Sequence, residues 1–254
     1  MKCGFVIPVY NHGTALEGVV KNLCEYNLPI IIVDDGNDEK NKEQIAAVVQ
    51  KYPITILVTR PKNGGKGLAM RDGVLKAHEV GLTHILQIDS DGQHDAGRVK
   101  RFLELSEQNP DAVICGYPEY DESAPKGRVE GRKIANACIR VVTLNNDIMD
   151  AMIGFRIYPV EPYYKLITRH AIIDKRMGYD IDMLVHMSWL GIKIVSESVK
   201  VVYPTDGISN FRAFRDNVRI SFTYARLTIG MVIRLPVLLY RKLSRKNKNK
   251  QNQE

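Results

Sequence analysis

The chain has 254 residues, 44% of them hydrophobic and 26% charged, a composition that supports one full globular core and excludes a disordered or fibrous protein. Its four cysteines, Cys3, Cys24, Cys115 and Cys138, are scattered without paired spacing, which points to reduced core thiols and away from a disulfide framework or a zinc site. The net charge of +7 is uneven: residues 241–254 hold six Lys/Arg against Glu254, which leaves the remainder of the chain nearly balanced.

In chain order, residues 5–11 read as a buried strand running into a loop. The N-terminus enters this strand at once, so no secretory signal is expected. A helix is expected near 14–26. The β-branched run Ile30-Ile31-Ile32-Val33 is a second strand, ending in Asp34-Asp35-Gly36. A helix near 40–51 and a strand over 54–59 follow, then Asn63-Gly64-Gly65-Lys66-Gly67 and a helix near 67–80. The fourth strand, 84–88, runs directly into Asp89-Ser90-Asp91-Gly92-Gln93. A helix near 95–108, stopped by Pro110, leads to a fifth strand over 112–116. Residues 117–131, rich in Gly, Pro, Glu and Asp, predict a long polar loop of the kind that is often functional. A helix near 132–145, a strand within 149–158, a loop entering a helix over 178–190 and final strands within 192–202 complete the domain. Apolar runs of this length alternating with helical segments indicate an α/β fold with a mostly parallel sheet covered on both faces.

A parallel strand that ends in Asp-x-Asp places two hard oxygen ligands at the carboxyl edge of a sheet, where open α/β folds bind ligands. Hard oxygens suit Mg²⁺ or Mn²⁺ bridged to phosphates. The motif therefore points to a metal–diphosphate site. The glycine-rich Asn63–Gly67 stretch is not a Walker A loop, since no Gly-Lys-Ser/Thr follows at the required spacing. It permits a tight turn at a helix start, where backbone N–H groups attract anions.

Together, Ile7-Pro8-Val9-Tyr10-Asn11, Val33-Asp34-Asp35-Gly36, Asn63-Gly64-Gly65-Lys66-Gly67-Leu68-Ala69, Asp89-Ser90-Asp91-Gly92-Gln93, Gly154-Phe155-Arg156-Ile157-Tyr158 and Gly178-Tyr179-Asp180-Ile181-Asp182 resemble the family 2 nucleotide-diphospho-sugar glycosyltransferases of the GT-A fold. The order and spacing fit across roughly residues 3–205. The Asp-x-Asp-x-Gln variant resembles the polyprenol-phosphate sugar synthases of that family. The family often carries Glu where this chain has His12-Gly13, which puts a donor contact there in doubt.

The resemblance implies roles for individual residues. Asp91 and Gln93 would hold Mg²⁺ or Mn²⁺, with Asp89 a direct or water-mediated ligand or a ribose contact. His94 reads as a surface residue or a support to the ligands. Pro8 and Tyr10 would wall the nucleotide base, and Asp35, with Asp34 beside it, would accept its N–H; alternatively both carboxylates cap the following loop. Lys66 would help hold the donor or be a solvent lysine at a helix-entry turn. Asp180, at a helix start, would be a general base or would orient the acceptor, with Asp182 the second candidate. Arg156 would meet a phosphate or be a salt-bridged structural residue. If the acceptor is a polyprenol phosphate, its oxygen is already anionic and no base is needed.

Beyond the catalytic unit (1–205), residues 206–240 predict an amphipathic helix. Phe211, Phe214, Val218, Phe222, Ala225, Ile229 and Val232 form an apolar stripe at helical spacing, with Arg212, Arg215, Arg219 and Arg226 alongside. Arg226 and Arg234 leave only seven residues between them, too few for a span. Pro236 should interrupt the helix, and 241–254 should be a disordered basic tail. The expectation is a helix lying in an anionic membrane surface; the alternative is a stripe packed on the catalytic domain. Nucleic acid is not expected, because no zinc knuckle, RNP-like aromatic pattern or helix-turn-helix accompanies the basic tail. The sequence thus predicts a metal-dependent inverting transferase at the cytoplasmic membrane face. It would move a hexose from a UDP- or GDP-sugar to a lipid-linked acceptor. The rival readings are a sugar-nucleotide pyrophosphorylase, which would need a Gly-x-Gly-x-Arg loop after the first strand, and a non-catalytic basic membrane- or RNA-binding module.

Overall fold

The computed structural model describes residues 1–92, 96–119, 126–169, 171–200 and 213–251. Gln93, His94, Phe211 and Arg212 lie outside the described residues, and the side chain of Phe214 is not described. Seven strands build the sheet: β1 (Cys3–Val9), β2 (Ile30–Asp34), β3 (Thr55–Thr59), β4 (His84–Gln87), β5 (Val113–Glu119), β6 (Arg156–Pro159) and β7 (Ile194–Lys200). Among the described residues eight α-helices accompany them: α1 (Gly13–Cys24), α2 (Glu39–Lys51), α3 (Lys66–Glu79), α4 (Val99–Gln108), α5 (Lys126–Thr143), α6 (Val160–Thr168), α7 (Tyr179–Trp189) and α8 (Ala213–Gln251).

The strand order is β3-β2-β1-β4-β6-β5-β7. All pairs are parallel except those of β6, which runs antiparallel to both β4 and β5. Strand order reverses at β1, which pairs with β2 on one side and β4 on the other. The crevice beyond the carboxyl ends of β1 and β4 is therefore a topological switch point, the usual ligand site of such sheets. Alternation along the strands divides the core. Val6, Ile31, Val33 and Ile85 face one layer with Met70 and Val74 of α3, Met183 of α7 and Leu227 of α8. Phe5, Ile7, Ile30, Ile32 and Leu86 face the other with Leu16 of α1, Ile45 of α2 and Phe102 of α4.

The segment expected as a loop over 117–131 is mostly regular. Strand β5 continues to Glu119 because β7 supplies a parallel partner through Glu119↔Lys200, and α5 already begins at Lys126. Conversely, the strand expected within 149–158 starts only at Arg156. The Asp150 carboxylate accepts from the amides of Met152 and Ile153, both at 2.8 Å, and turns the chain there. Helix α6 had no counterpart in the sequence reading. Of the last strand region, 192–202, the described residues hold one strand, β7, and 201–202 lie outside them.

Pro236 does not end the C-terminal helix. Helix α8 runs 39 residues through it to Gln251, over most of the stretch expected as a disordered tail. Arg, Lys and Gln are good helix formers, and one lost hydrogen bond at the proline does not outweigh them. One face of α8 lies on the α/β unit: Leu227 and Thr223 are buried, Tyr224 Oη donates to Ala135 O at 3.2 Å, and Arg241 Nη1 donates to Trp189 O at 2.7 Å. The opposite face exposes Phe222, Ile229, Val232, Ile233, Val237 and Tyr240. Arg226, expected to meet lipid phosphates, points to the protein side and pairs with Asp182.

Gly36, just after β2, has φ +68°, and a Cβ there would lie 2.5 Å from Asn63 N. Gly36→Ala should lower stability by about 2 kcal/mol or more, because it combines a left-handed backbone with a clash against backbone. A thermal melt should fall by about 4 °C or more; an unchanged melting temperature would contradict this account of the turn.

Candidate active site

The carboxyl ends of β1, β2 and β4 and the N-termini of α3 and α7 converge on one buried polar cluster. Its centre is the Lys66 ammonium, 2.7 Å from Asp89 Oδ1 and 2.8 Å from Asp180 Oδ2. Burial alone would lower the Lys66 pKa, but the two carboxylates more than offset this and raise it above the usual lysine value, so the group stays cationic. Gln87, fully buried in β4, donates through Nε2 to Asp180 Oδ1 at 2.7 Å. Tyr179 Oη donates to Gln87 Oε1 at 3.3 Å and hydrogen-bonds in turn to Tyr163 Oη. Burial pushes both phenols well above their ordinary range, so this chain is one of protonated hydroxyls. The polar line runs Tyr163, Tyr179, Gln87, Asp180, Lys66, Asp89.

Asp89 is half-buried and Asp91 follows it at the same sheet edge. On the α1 side, Asp89 borders a pocket lined by Ala15, Gly18, Val19, Asn22 and Gly92. Among the described residues no group of three His, Cys, Asp or Glu side chains gathers as a ready metal cage. Asp89 and Asp91 provide hard oxygens of the right kind for Mg²⁺ or Mn²⁺, and Gln93 lies outside the described residues.

The two carboxylates after β2 are committed elsewhere. Asp35 accepts from Gly64 N (2.9 Å), Gly65 N (2.8 Å) and Asn63 Nδ2 (2.9 Å). Arg60 Nε lies 2.9 Å from its Oδ1 as an ion-pair contact. These contacts fill the acceptor sites of a carboxylate, so Asp35 holds the glycine-rich loop rather than presenting itself to a base. Asp34 accepts from Asn37 N (2.9 Å) and Asn37 Nδ2 (2.6 Å), a turn-capping role. The loop amides are likewise occupied: besides Gly64 and Gly65, Gly67 N donates to Lys175 O at 3.0 Å. A Cβ at Gly67 would strike Asp174 O, so the glycine admits the 174–176 backbone against the start of α3. The loop thus delivers a lysine side chain, not a nest of open amides. Pro8 and Tyr10 do sit at the carboxyl end of β1, half-buried and exposed respectively.

Asp180 and Asp182 separate. Two residues on a helix are about 200° apart, so α7 turns Asp180 toward Lys66 and Asp182 away from it. Asp182 is fully buried, pairs with Arg226, accepts from Asp174 N and has His186 Nδ1 3.2 Å from its Oδ1. It anchors α8 and does not face Lys66. Arg156 is also fully buried. Its Nη1 donates to Tyr158 Oη at 3.0 Å and to Asp180 O, so it braces the start of α7 from beneath and reaches no surface where a phosphate could sit.

A family model, Glycosyl transferase family 2, matches residues 5–169, about two thirds of the chain. The chain belongs to glycosyl transferase family 2. Among its relatives, a dolichyl-phosphate beta-glucosyltransferase of Dictyostelium discoideum is 25% identical over 86% of this chain and 73% of its own length. An uncharacterized protein of Methanocaldococcus jannaschii is 25% identical over 80% of this chain and 90% of its own length. A dolichyl-phosphate beta-glucosyltransferase of Trichomonas vaginalis is 27% identical over 71% of this chain, which spans only 58% of that protein. In structure, glucosyl-3-phosphoglycerate synthase from Mycobacterium tuberculosis superposes with a TM-score of 0.67 at 15% identity, covering 91% of this chain and 79% of the other. A mannosyltransferase from Pyrobaculum calidifontis, solved with GDP-Man and Mn²⁺, gives 0.57 at 14% identity, covering 94% and 73%. The fold is the GT-A fold expected from the motifs.

Two contributors to the site, Gln87 and Asp174, were given no role from the sequence, and Gly154 entered only as part of a motif. Gln87 is a polar residue at the end of the apolar β4 run, and that was its signal. Gly154 lies directly over the ion pair: a Cβ there would stand 2.6 Å from Lys66 Nζ and closer still to Asp89 Oδ2. Both are tips of flexible side chains, so Gly154→Ala should fold normally but displace the pair. A shift of about 1 Å costs roughly 10²-fold in rate. The variant should therefore lose about 10- to 100-fold in kcat/KM with a melting temperature within about 2 °C of wild type; full activity would show that the pair is not part of the reacting centre.

Proposed function

We propose that the protein transfers a hexose from a UDP- or GDP-sugar to a polyprenol-phosphate-type acceptor in a single inverting displacement, at the cytoplasmic face of a membrane. The observation that carries this reading is the Lys66 ammonium held by Asp89 and Asp180 at the β1/β4 switch point of a family 2 glycosyltransferase. Lys66 places fixed positive charge where a donor diphosphate would lie, and Pro8 and Tyr10 flank the space for its base. Asp89 and Asp91, with Gln93, would hold Mg²⁺ or Mn²⁺, which when bound neutralises charge on the departing diphosphate. Relatives named for dolichyl phosphate support an anionic acceptor. Such an oxygen needs no general base, so Asp180 orients Lys66 and the acceptor rather than removing a proton. A hydroxyl acceptor would instead need Asp180 as base.

The membrane reading rests on α8. By length and composition its stretch Arg215–Ser244 could cross a bilayer. Arg226, Leu227 and Arg241 hold it along the catalytic unit instead. That leaves Phe222, Ile229 and Ile233 facing outward, an arrangement suited to a helix lying in the membrane surface. The cations beyond residue 240 add attraction of about 1 kcal/mol each near anionic lipid.

Incubation with UDP-glucose, UDP-N-acetylglucosamine and GDP-mannose, a polyprenyl phosphate and Mn²⁺ should yield a glycosyl lipid from one donor. EDTA or Asp91→Ala should abolish turnover. Transfer of equal rate in EDTA would remove the metal from the reading, and no transfer from any donor would remove the reading itself. Phe222→Ser combined with Ile229→Ser and Ile233→Ser should release the protein from anionic liposomes at all salt concentrations. Deletion of 241–254 should weaken flotation mainly at low salt. A wild-type protein that stays off anionic liposomes at low salt would refute the membrane role of α8.

A further inference from the structure

The segment 171–178 between α6 and α7 has no helix or strand among its residues, yet it lies between the donor-side loop and the C-terminal helix. Toward the site, Lys175 O accepts from Gly67 N at 3.0 Å and Arg176 Nη1 donates to Asn63 Oδ1 at 3.0 Å. Gly67 and Asn63 flank Lys66, and Asn63 in turn bonds Asp35. Toward α8, Thr223 Oγ1 donates to Asp174 Oδ2 at 3.2 Å. Arg226 donates from Nη1 to Ile172 O and from Nη2 to Asp182 Oδ2, the oxygen that also accepts from Asp174 N. Asp174 closes the turn by accepting from Arg176 N at 2.7 Å. Among the described residues no sheet ladder holds this segment. It meets α3 directly, and on its far side it is tied to one buried carboxylate, Asp182, and to two side chains of α8.

We propose that Arg226 and Thr223 of α8 are positioning residues for Lys66: they pin the 172–178 segment, and that segment fixes the loop that carries the lysine. The bearing of this on donor affinity rests on the reading of Lys66 as the donor-side cation; the mechanical coupling does not. Asp182 is fully buried and needs a cationic partner. Loss of Arg226 therefore frees both ends of the contact, the carboxylate and the Ile172 carbonyl. Coupling of this kind is reciprocal. Whatever strengthens the seating of α8 on the catalytic unit, lipid at its outer face included, tightens donor binding, and bound donor steadies α8.

The test uses full-length protein in two readouts: amide hydrogen exchange followed by NMR, and titration with UDP and with GDP in Mn²⁺. In Arg226→Met the amides of Gly67 and Asp174 should exchange about 10-fold faster or more, while those of β1 and β2 stay at wild-type rates, the signature of local rather than global opening. The dissociation constant for whichever nucleotide the wild type binds should rise about 10-fold, with Arg226→Lys restoring most of both effects. Thr223→Val should reproduce a smaller part of the exchange change, and it decides the matter if Arg226→Met fails to fold. Wild-type protection at Gly67 in both variants would overturn the proposal. Faster exchange throughout the core would reduce Arg226 to a general stabiliser and also overturn it. A wild-type protein that binds neither nucleotide would instead count against the proposed function, while the exchange data still decide the coupling.

Discussion

A largely enclosed ammonium shared by two carboxylates organises this protein. Lys66 cannot lie among Asp89 and Asp180 unless both acids are brought to it and the space around them is kept open. The first condition sets Asp89 at the end of β4 and Asp180 in the first turn of α7, with Gln87 holding the far oxygen of Asp180. The second requires Gly154, where any side chain would enter the pair. Desolvation makes such a cluster costly unless every member is paired. Here the pairing extends outward through Tyr179 to Tyr163 and downward through Arg156, which bonds the Asp180 carbonyl.

Helix α7 divides the molecule's two tasks within one turn. Asp180 faces Lys66, and Asp182 faces the C-terminal helix. The same few residues that place a carboxylate beside Lys66 thus also anchor the element whose outer face is apolar. The exposed row on α8 lies opposite the buried Leu227, so the helix can hold the catalytic unit and offer a surface at once. This arrangement places the apolar outer face of α8 and the Lys66 ion pair within a short chain of hydrogen bonds.

The glycine-rich loop is the clearest case of a motif whose chemistry differs from its appearance. Its amides face Asp35 and Lys175 rather than a bound anion. The loop is a bracket that Asp35 clamps from below and the 174–176 segment clamps from above. What it offers the site is a single side chain with a raised pKa, held in a fixed direction.

The sequence by itself determined the α/β class, the mostly parallel sheet, the family and the positions of the acidic strand ends. Apolar runs such as Ile30–Val33 and motif spacings are local properties that a linear reading registers directly. It also marked the apolar row of α8, because helical period is local too. Only the tertiary structure decided which way each charged residue points. Asp34, Asp35, Asp180 and Asp182 look alike in sequence, yet one caps a turn, one clamps a loop, one meets Lys66 and one holds Arg226. Apart from the local Asp34–Asn37 turn, those outcomes depend on partners 29 to 114 positions away, met through space and not through any pattern along the chain. The antiparallel insertion of β6, the length of β5 and the persistence of α8 past Pro236 have the same origin: each is fixed by what an element packs or pairs against, and a linear sequence does not record its neighbours.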